Sequence, residues 1–210
     1  MLNDKAALRS RLLAARAELS PEQRQDAALA LAGHALTLLA DPPSAGTPPV
    51  VAGYVSVGAE PGTRALLDAL HARGARVLLP VLLPDNDLDW GRYQGPERLR
   101  RAGRGLLEPD GDRLGPEAVS TADLVLLPGL AVDRHGVRLG RGGGSYDRVL
   151  ARLARADGPA PRLATLLYDA ELLEGVPAEA HDRPVDAAVT PSGIRWFGAA
   201  GASRPTRASG

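Results

Sequence analysis

A glycine-rich segment that ends in charged residues is the part of this sequence best suited to bind a ligand. It covers residues 139–148 (LGRGGGSYDR, hereafter the glycine segment), after an apolar run at 122–128 and at the start of a helical pattern at 146–156. Glycines let backbone N–H groups approach an anion closely, and a helix N-terminus adds unpaired donors. Arginines can clamp phosphates, and the carboxylate of Asp147 can bind Mg²⁺. These features predict a site for a nucleoside triphosphate.

Three well-known glycine motifs do not match this segment. A Walker loop requires Gly-Lys-Ser/Thr, and the segment has no lysine. A dinucleotide fingerprint starting at Gly140 would need glycine at Ser145, and a nucleophile elbow would need glycine at Asp147. A flexible surface turn is the alternative interpretation. The position between an apolar strand and a helix favours the anion site.

Lysine usage draws attention to the N-terminus. Of the 25 basic residues only Lys5 is a lysine, and Arg9 follows one helical turn later on the same face. A lysine is a compact point charge whereas an arginine is a planar fork, so a site for one phosphate oxygen could require Lys5. On composition alone, it is equally plausible that this single lysine remained by chance. A solvated helix face is the alternative for both side chains.

Composition predicts a cytoplasmic monomer with one globular domain at 1–197 and a disordered tail at 198–210. Cysteine is absent, which excludes disulfides and thiol catalysis. The formal net charge is zero, which removes the usual electrostatic case for a nucleic-acid partner. No apolar run approaches the about 20 residues that cross a bilayer, and the N-terminus lacks a signal-peptide pattern. We therefore expect no membrane partner either.

Helix and strand patterns alternate along the chain. Helices are predicted at 4–18, 21–40, 64–73 and 146–156, and strands at 50–57, 76–82, 88–93, 124–127, 163–168 and 185–190. Ser20 and Gln23 form a capping-box pattern, Thr63 is the expected cap of the third helix, and Gly74 its end. Residues 103–109 are expected to be irregular, 133–136 to form a turn, and 41–49 to form a stiff linker.

This alternating order predicts an α/β fold, a single-domain three-layer α/β/α sandwich around a mainly parallel sheet. In such sheets ligands bind beyond the carboxyl ends of the strands. The loops that follow the strands at 50–57, 124–127 and 185–190 should therefore converge. They carry Glu60, the glycine segment and Ser192.

The stretch at 128–148 (PGLAVDRHGVRLGRGGGSYDR) resembles the signature of the 5-formyltetrahydrofolate cyclo-ligases, also called methenyltetrahydrofolate synthetases. Four further blocks match in order, at 5–20, 54–63, 107–109 and 181–186. The resemblance implies a fold similar to sugar-phosphate-isomerase-like folds. It also implies closure of 5-formyltetrahydrofolate to 5,10-methenyltetrahydrofolate with ATP and Mg²⁺.

The chemistry that the resemblance implies begins with phosphorylation of the formyl oxygen by ATP, which gives an iminium phosphate. N10 of the folate then attacks the activated carbon and phosphate leaves. No protein nucleophile is needed, in agreement with the lack of cysteine. The protein must mainly position the reactants and neutralise spread negative charge.

The resemblance also assigns roles to residues. It implies ATP contacts from Lys5, Arg9, Arg138, Leu139, Gly140, Arg141, Gly142, Gly143, Gly144, Ser145 and Tyr146. It implies folate contacts from Val55, Glu60, Arg141, Gly142, Gly143, Gly144 and Ser145. Mg²⁺ is assigned to Asp147 and Asp182. Glu60 can accept hydrogen bonds from pterin N–H groups.

Each role has a simpler alternative. Glu60 can be an ordinary loop carboxylate, Asp147 a charge at a helix N-terminus, and Asp182 a turn residue. Tyr146 can lie against a ligand ring or pack on the sheet. For His135 and His181 we favour structural roles, because no partner spacing singles out either one.

Two other functions stay open at this point. One is a divergent relative with the same phosphate site and another substrate, linked to thiamine metabolism. The other is a nucleotide-binding module without turnover. Ser145 stands where many family members have a second tyrosine, so aromatic stacking on folate is not implied there.

Overall fold

The computed structural model of the protein describes residues 2–39, 47–179 and 182–198. The helices are α1 (Leu2–Glu18), α2 (Pro21–Leu36), α3 (Arg64–Ala72) and α4 (Ser145–Arg155). The strands are β1 (Val50–Ala52), β2 (Arg76–Leu82), β3 (Leu88–Arg92), β4 (Leu99–Arg101), β5 (Leu107–Pro109), β6 (Leu124–Leu127), β7 (Ala131–Asp133), β8 (Arg138–Leu139), β9 (Arg162–Leu166), β10 (Leu172–Leu173), β11 (Ala187–Thr190) and β12 (Gly193–Trp196). The tail at 199–210 and residues 41–46 of the expected linker lie outside the described residues.

A seven-stranded sheet in the order β12-β11-β9-β6-β1-β2-β3 forms the centre of the fold. Its inner strands, from β11 to β2, are all parallel, whereas β12 and β3 pair antiparallel at the two edges. The parallel strands are short apolar runs because helices cover both faces of the sheet. This arrangement confirms the predicted mainly parallel α/β sheet.

Two hydrophobic cores lie on opposite faces of the sheet, which makes the fold three-layered. Leu31 of α2 and Leu66 of α3 pack in one core, and Val149 of α4 packs in the other. Successive strand residues point to opposite faces, so Leu126 enters the first core and Leu127 the second.

A matched pair of leucines on α2 tests this packing. Leu31 is fully buried and Leu29 is 55% exposed. We expect Leu31→Ala to lower the free energy of unfolding by about 2–5 kcal/mol, because it removes buried methyl groups and leaves a cavity. Leu29→Ala should change it by less than about 0.5 kcal/mol. Urea denaturation measures both, and equal losses would contradict the described orientation of α2.

A small second sheet carries the N-terminal helix. Strand β7 lies between β10 and β8, and α1 contributes Leu12 to a hydrophobic cluster with Leu130, Leu139 and Val176. The hairpin of β7 and β8 separates the apolar strand β6 from the glycine segment. The sequence had indicated only the turn at 133–136 between β6 and the glycine segment, and the structure adds a strand on each side of it.

Several predicted local features are confirmed. The Ser20 hydroxyl accepts from the Gln23 backbone, and the Gln23 side chain accepts from the Ser20 backbone. Gly74 follows α3 with a φ of +80°, which favours glycine at a helix end. Gly136 N–H donates to the Asp133 carbonyl and closes the expected turn. In residues 2–39, 47–179 and 182–198, no helix has the length and apolar character of a membrane span.

The loop after β1 corrects two predictions. The strand expected at 50–57 ends at Ala52. The N–H of Gly53 still donates to the Leu78 carbonyl of β2, but further along the loop backbone N–H groups bond to side chains. The N–H of Ser56 donates to Thr63 Oγ1 at 2.9 Å. The N–H of Val57 donates to Glu60 Oε2 at 2.8 Å. The Thr63 side chain thus fixes this loop and does not cap α3.

Other boundaries differ as well. Residues expected to be irregular at 103–109 include β5, which pairs antiparallel with β4. Strands β9 and β11 are shorter than predicted, and α2 gives way to a 3-10 helix at Thr37–Leu39. The apolar patterns predicted that these elements exist. Their ends depend on where the neighbouring strand stops pairing, which the patterns do not show.

Candidate active site

A cavity of about 440 Å³ opens at the carboxyl ends of the central strands. This volume suits a small-molecule site. Residues 140–147 of the glycine segment form one wall, and the loop after β1 forms another with Tyr54, Val55, Val57 and Glu60. The predicted convergence of the loops after β1 and β6 is confirmed, since Pro128 also lines the cavity. Ser192 is absent from this lining, and its N–H donates to Asp169 instead.

An apolar wall of the cavity was not predicted. It consists of Pro80, Leu82, Leu88, Leu106 and Leu107 from the region of β2, β3 and β5. Leucines in strands look like core residues in a sequence, so no local signal marked them as cavity residues. The block at 107–109 belonged to the family resemblance, but no role had been assigned to it.

The backbone of the glycine segment has the form of an anion site. Gly142 and Gly144 have φ values of +92° and +75°, which side chains other than glycine rarely adopt. A Cβ atom added at Gly143 or Gly144 would meet open space. Gly144 is the N-cap of α4 and supplies no side-chain cap. The first N–H groups of α4 therefore keep donors for a ligand.

Helix α1 brings Arg9 to this segment. Arg9 Nε donates to the Gly140 carbonyl at 2.9 Å. Its guanidinium lies 3.6–3.8 Å from the position that a Cβ of Gly142 would occupy. A larger residue at Gly142 would therefore crowd the arginine as well as strain the backbone.

Lys5 lies one turn earlier on α1 and contacts two carboxylates. Its Nζ is 3.2 Å from Glu179 Oε1 and 3.4 Å from Asp182 Oδ2. The Lys5 side chain is only 13% exposed. The structure thus places Lys5 beside Asp182 and Arg9 beside the glycine segment. Their roles in ATP binding stay predictions.

The two predicted metal ligands differ in their surroundings. Asp147 is 58% exposed, and its Oδ1 accepts from Arg138 Nη2 at 3.2 Å. Asp182 accepts from the Glu179 backbone at 2.7 Å as well as from Lys5. Both carboxylates act on the same arginine: burial lowers the pKa of Arg138, and Asp147 and Asp182 oppose this shift.

These residues fit a magnesium ion only together with other ligands. Within residues 2–39, 47–179 and 182–198, no three His, Asp or Glu side chains gather as a preformed metal centre. Mg²⁺ in phosphoryl-transfer sites commonly takes one or two carboxylates, water and phosphate oxygens. Asp147 and Asp182 fit that pattern if a triphosphate supplies the remaining oxygens.

The Arg138 side chain lies between Pro128 and the glycine segment. Its Nη1 donates to the Pro128 carbonyl at 2.8 Å and lies 2.9 Å from the Cβ position of Gly140. The side chain is only 7% exposed, and its buried Nε has no partner among the described residues. A side chain at position 140 would therefore displace the Arg138 guanidinium.

Glu60 faces the cavity from the loop after β1. Its Oε1 accepts from Arg141 Nη1 at 3.0 Å, and its Oε2 accepts from the Val57 backbone at 2.8 Å. A carboxylate has about four lone-pair sites, so Glu60 keeps acceptor capacity. Arg141 thereby joins the glycine segment to the loop after β1 across the cavity.

Two tyrosines complete the polar lining. The Tyr146 ring packs on the core that contains α4, while its buried hydroxyl has no hydrogen-bond partner among the described residues. Burial, with Glu60 nearby, raises the pKa of Tyr146 and of Tyr54. Both phenols therefore stay protonated at neutral pH and can donate to a ligand. Tyr54 had not been assigned to the site.

Of the two histidines considered in the sequence, only His135 lies among the residues that the structure describes. His135 is exposed, and its backbone N–H donates to Asp133 Oδ1 within the turn. His135 is absent from the cavity lining, and the structural role favoured for it stays a prediction. His181 lies outside the described residues.

A sequence model described as the 5-formyltetrahydrofolate cyclo-ligase family matches residues 1–191. The chain belongs to this family. A 5-formyltetrahydrofolate cyclo-ligase of Mycolicibacterium smegmatis is 46% identical over 146 residues, which are 67% of this chain and 73% of the relative. The cyclo-ligase of Escherichia coli is 33% identical over 181 residues, 85% of this chain and 96% of the relative.

Solved structures agree with the cyclo-ligase family. A 5,10-methenyltetrahydrofolate synthetase of Aquifex aeolicus has a TM-score of 0.71 at 28% identity and covers 98% of this chain and 96% of its own. A synthetase of Mycoplasma pneumoniae has a TM-score of 0.66 at 19% identity, covers 90% of this chain and 99% of its own, and supports the fold alone. The chain is therefore an enzyme of the ligase class, in a cyclo-ligase family named for a folate substrate. The expected likeness to sugar-phosphate-isomerase-like folds and the domain limits stay predictions.

Proposed function

We propose that this enzyme closes 5-formyltetrahydrofolate to 5,10-methenyltetrahydrofolate and converts ATP to ADP and phosphate. One observation supports this most strongly. A single cavity places the anion-binding backbone of the glycine segment opposite a partly buried carboxylate, Glu60, and an apolar wall. A phosphate donor and an aromatic, N–H-bearing acceptor can therefore meet in one space.

The phosphate end of the site would consist of backbone amides and cations. The N–H groups around Gly142–Gly144 and the start of α4 can donate to phosphate oxygens. Arg9 already contacts this segment, and Lys5 lies one turn away on the same helix. Phosphoryl transfer to the formyl oxygen needs mainly in-line placement and charge neutralisation, which such groups supply.

The folate end would lie against the loop after β1. Val55 is buried at the cavity wall, and Glu60 can accept N–H groups of the pterin. Leu82 and Leu107 offer apolar contacts for the rings. The buried Tyr146 hydroxyl can donate to a substrate oxygen. After phosphorylation of the formyl oxygen, attack by N10 would expel phosphate from the iminium phosphate.

Mg²⁺ bound with ATP would neutralise part of the triphosphate charge, held by Asp147 and Asp182. We expect Asp147→Asn to reduce turnover at limiting Mg²⁺ by about 10-fold or more, because the amide is a weaker ligand for a hard cation. Initial rates measured against Mg²⁺ concentration at fixed ATP would show this as a raised Mg²⁺ requirement. Asp85→Asn, an exposed carboxylate outside the cavity lining, serves as the control. An unchanged Mg²⁺ dependence would remove Asp147 from the metal site.

The direct test combines purified protein with 5-formyltetrahydrofolate, ATP and Mg²⁺ and follows the absorbance of the methenyl product. Omission of each component in turn should abolish product. Nucleotide binding without product would instead favour the non-catalytic module, and ATP consumption with a thiamine-related acceptor alone would favour the divergent relative. The monomeric state and the cytoplasmic location stay predictions.

A further inference from the structure

Helix α1 carries both predicted ATP cations, yet it has little apolar contact with the rest of the protein. Among the side chains described for α1, at positions 4–18, only Leu12 and Arg16 are buried. Arg16 is 2% exposed, which is unusual for an arginine. The position of α1 on the protein therefore depends strongly on the contacts of Arg16.

Arg16 binds two separate parts of the chain. Its Nε donates to Glu171 Oε1 at 2.6 Å, and its Nη2 donates to Glu171 Oε2 at 2.9 Å. Nη2 also donates to the Gly129 carbonyl at 2.7 Å. The planar fork of the guanidinium makes these three bonds together, which a lysine could not do.

Glu171 is held in turn by the chain around it. It is 3% exposed, and its Oε2 also accepts from the Tyr168 backbone at 3.0 Å. Glu171 ends the turn that leads into β10, which pairs with β7 of the small sheet. The ion pair therefore ties α1 to the same small sheet that precedes the glycine segment.

Gly129 links this pair to the cavity. Its neighbour Pro128 lines the cavity and accepts from Arg138. A Cβ at Gly129 would lie 2.8 Å from Thr165 Cγ2 and 3.3 Å from Arg138 Cγ, so this backbone is enclosed from that side. Arg16 and Arg138 thus hold two successive carbonyls of one loop.

We propose that Arg16, paired with Glu171, is a positioning residue for the ATP site. It fixes α1 in the placement that brings Arg9 to the glycine segment and Lys5 to Asp182, and it touches no reactant itself. Arg9 lies seven residues from Arg16, about 10 Å along the helix. A loss of this anchor would therefore move the cations that meet the triphosphate. The inference rests on the proposed function.

Stability alone does not explain the pair. A buried ion pair pays a large desolvation cost, and apolar residues of similar volume are often as stabilising or more so. Removal of one partner alone leaves an unpaired buried charge. The double variant Arg16→Met with Glu171→Leu therefore separates position from stability.

We expect the double variant to stay folded with a thermal midpoint lower by about 5–15 °C, because the Tyr168 N–H and the Gly129 carbonyl lose their partners. We expect its KM for ATP to rise about tenfold and its KM for 5-formyltetrahydrofolate to change less than about twofold. Amides of α1 should exchange with deuterium about tenfold faster, since the helix opens locally. Arg11→Met on the exposed side of α1 is the matched control and should change none of these.

Arg16→Lys is a second variant that keeps the charge but loses the fork, and it should raise the KM for ATP about threefold or more. A folded double variant, or Arg16→Lys, with a normal KM for ATP would overturn the positioning role. Failure of the wild-type protein to bind a fluorescent ATP analogue would overturn both the role and the proposed function. Product formation by the wild type, with normal kinetics in both variants, would overturn the role alone.

Discussion

Replacing Lys5 by methionine is expected to raise the KM for ATP by about 10- to 150-fold, which corresponds to about 1.5–3 kcal/mol for a hydrogen bond to a charged group. The ammonium lies beside Asp182, one helical turn from Arg9, which contacts the glycine segment. Methionine keeps the length of the side chain but cannot neutralise a phosphate oxygen. Initial rates of methenyl formation at saturating folate would measure the change.

The control for this variant is Arg11→Met, which removes a cation from the exposed side of the same helix. Arg11→Met should unfold at the temperature of the wild type within about 3 °C, because exposed substitutions of this kind change stability little. Lys5→Met should stay folded at the assay temperature, with a midpoint lower by a few degrees, because Glu179 and Asp182 lose their cation. A Lys5 variant with a normal KM at limiting ATP would show that the ammonium serves Glu179 and Asp182 only.

Replacing Glu60 by glutamine is expected to raise the KM for 5-formyltetrahydrofolate by about 10- to 100-fold, since a site that loses its buried acceptor leaves substrate N–H groups unpaired. The amide oxygen can still accept from the Val57 backbone, so the loop after β1 should keep its shape. The new NH₂ group would face Arg141 or the pterin donor to donor. The KM for ATP should change by less than about threefold.

Glu117→Gln is the matched control for Glu60. Glu117 also accepts from an arginine, Arg152, but lies outside the cavity lining. Its loss should leave both KM values unchanged. If Glu60→Gln raised the KM for ATP and left that for folate unchanged, Glu60 would act through Arg141 on the phosphate end, and its assignment to the pterin would be wrong.

The predicted features that survived in the structure are those that local residues decide. The capping box at Ser20 and Gln23 and the glycine at 74 depend on neighbours within one helical turn, and both are present. Strands such as β2 and β6 are apolar on both faces because helices cover both, so their composition alone marked them.

The features that were wrong depend on partners far along the chain. Beyond Gly53 the backbone leaves the sheet, and the Thr63 and Glu60 side chains accept from the N–H groups of Ser56 and Val57. The hairpin of β7 and β8 pairs with β10 in a separate sheet, which the local pattern around 131–139 did not indicate. Competition between side chains and strands for the same backbone donors is decided only in three dimensions.

By itself, the sequence determined the family, the layered α/β sheet and the glycine segment, because runs of neighbouring residues carry those signals. The tertiary structure alone decided which charges meet. Lys5 and Asp182 are 177 positions apart, and Arg16 and Glu171 are 155 apart. The tertiary structure also places Leu82 and Leu107 in the wall of the cavity. Contacts at such separations follow from the order of strands in the sheet and from the position of α1. No local sequence pattern encodes the strand order or that position.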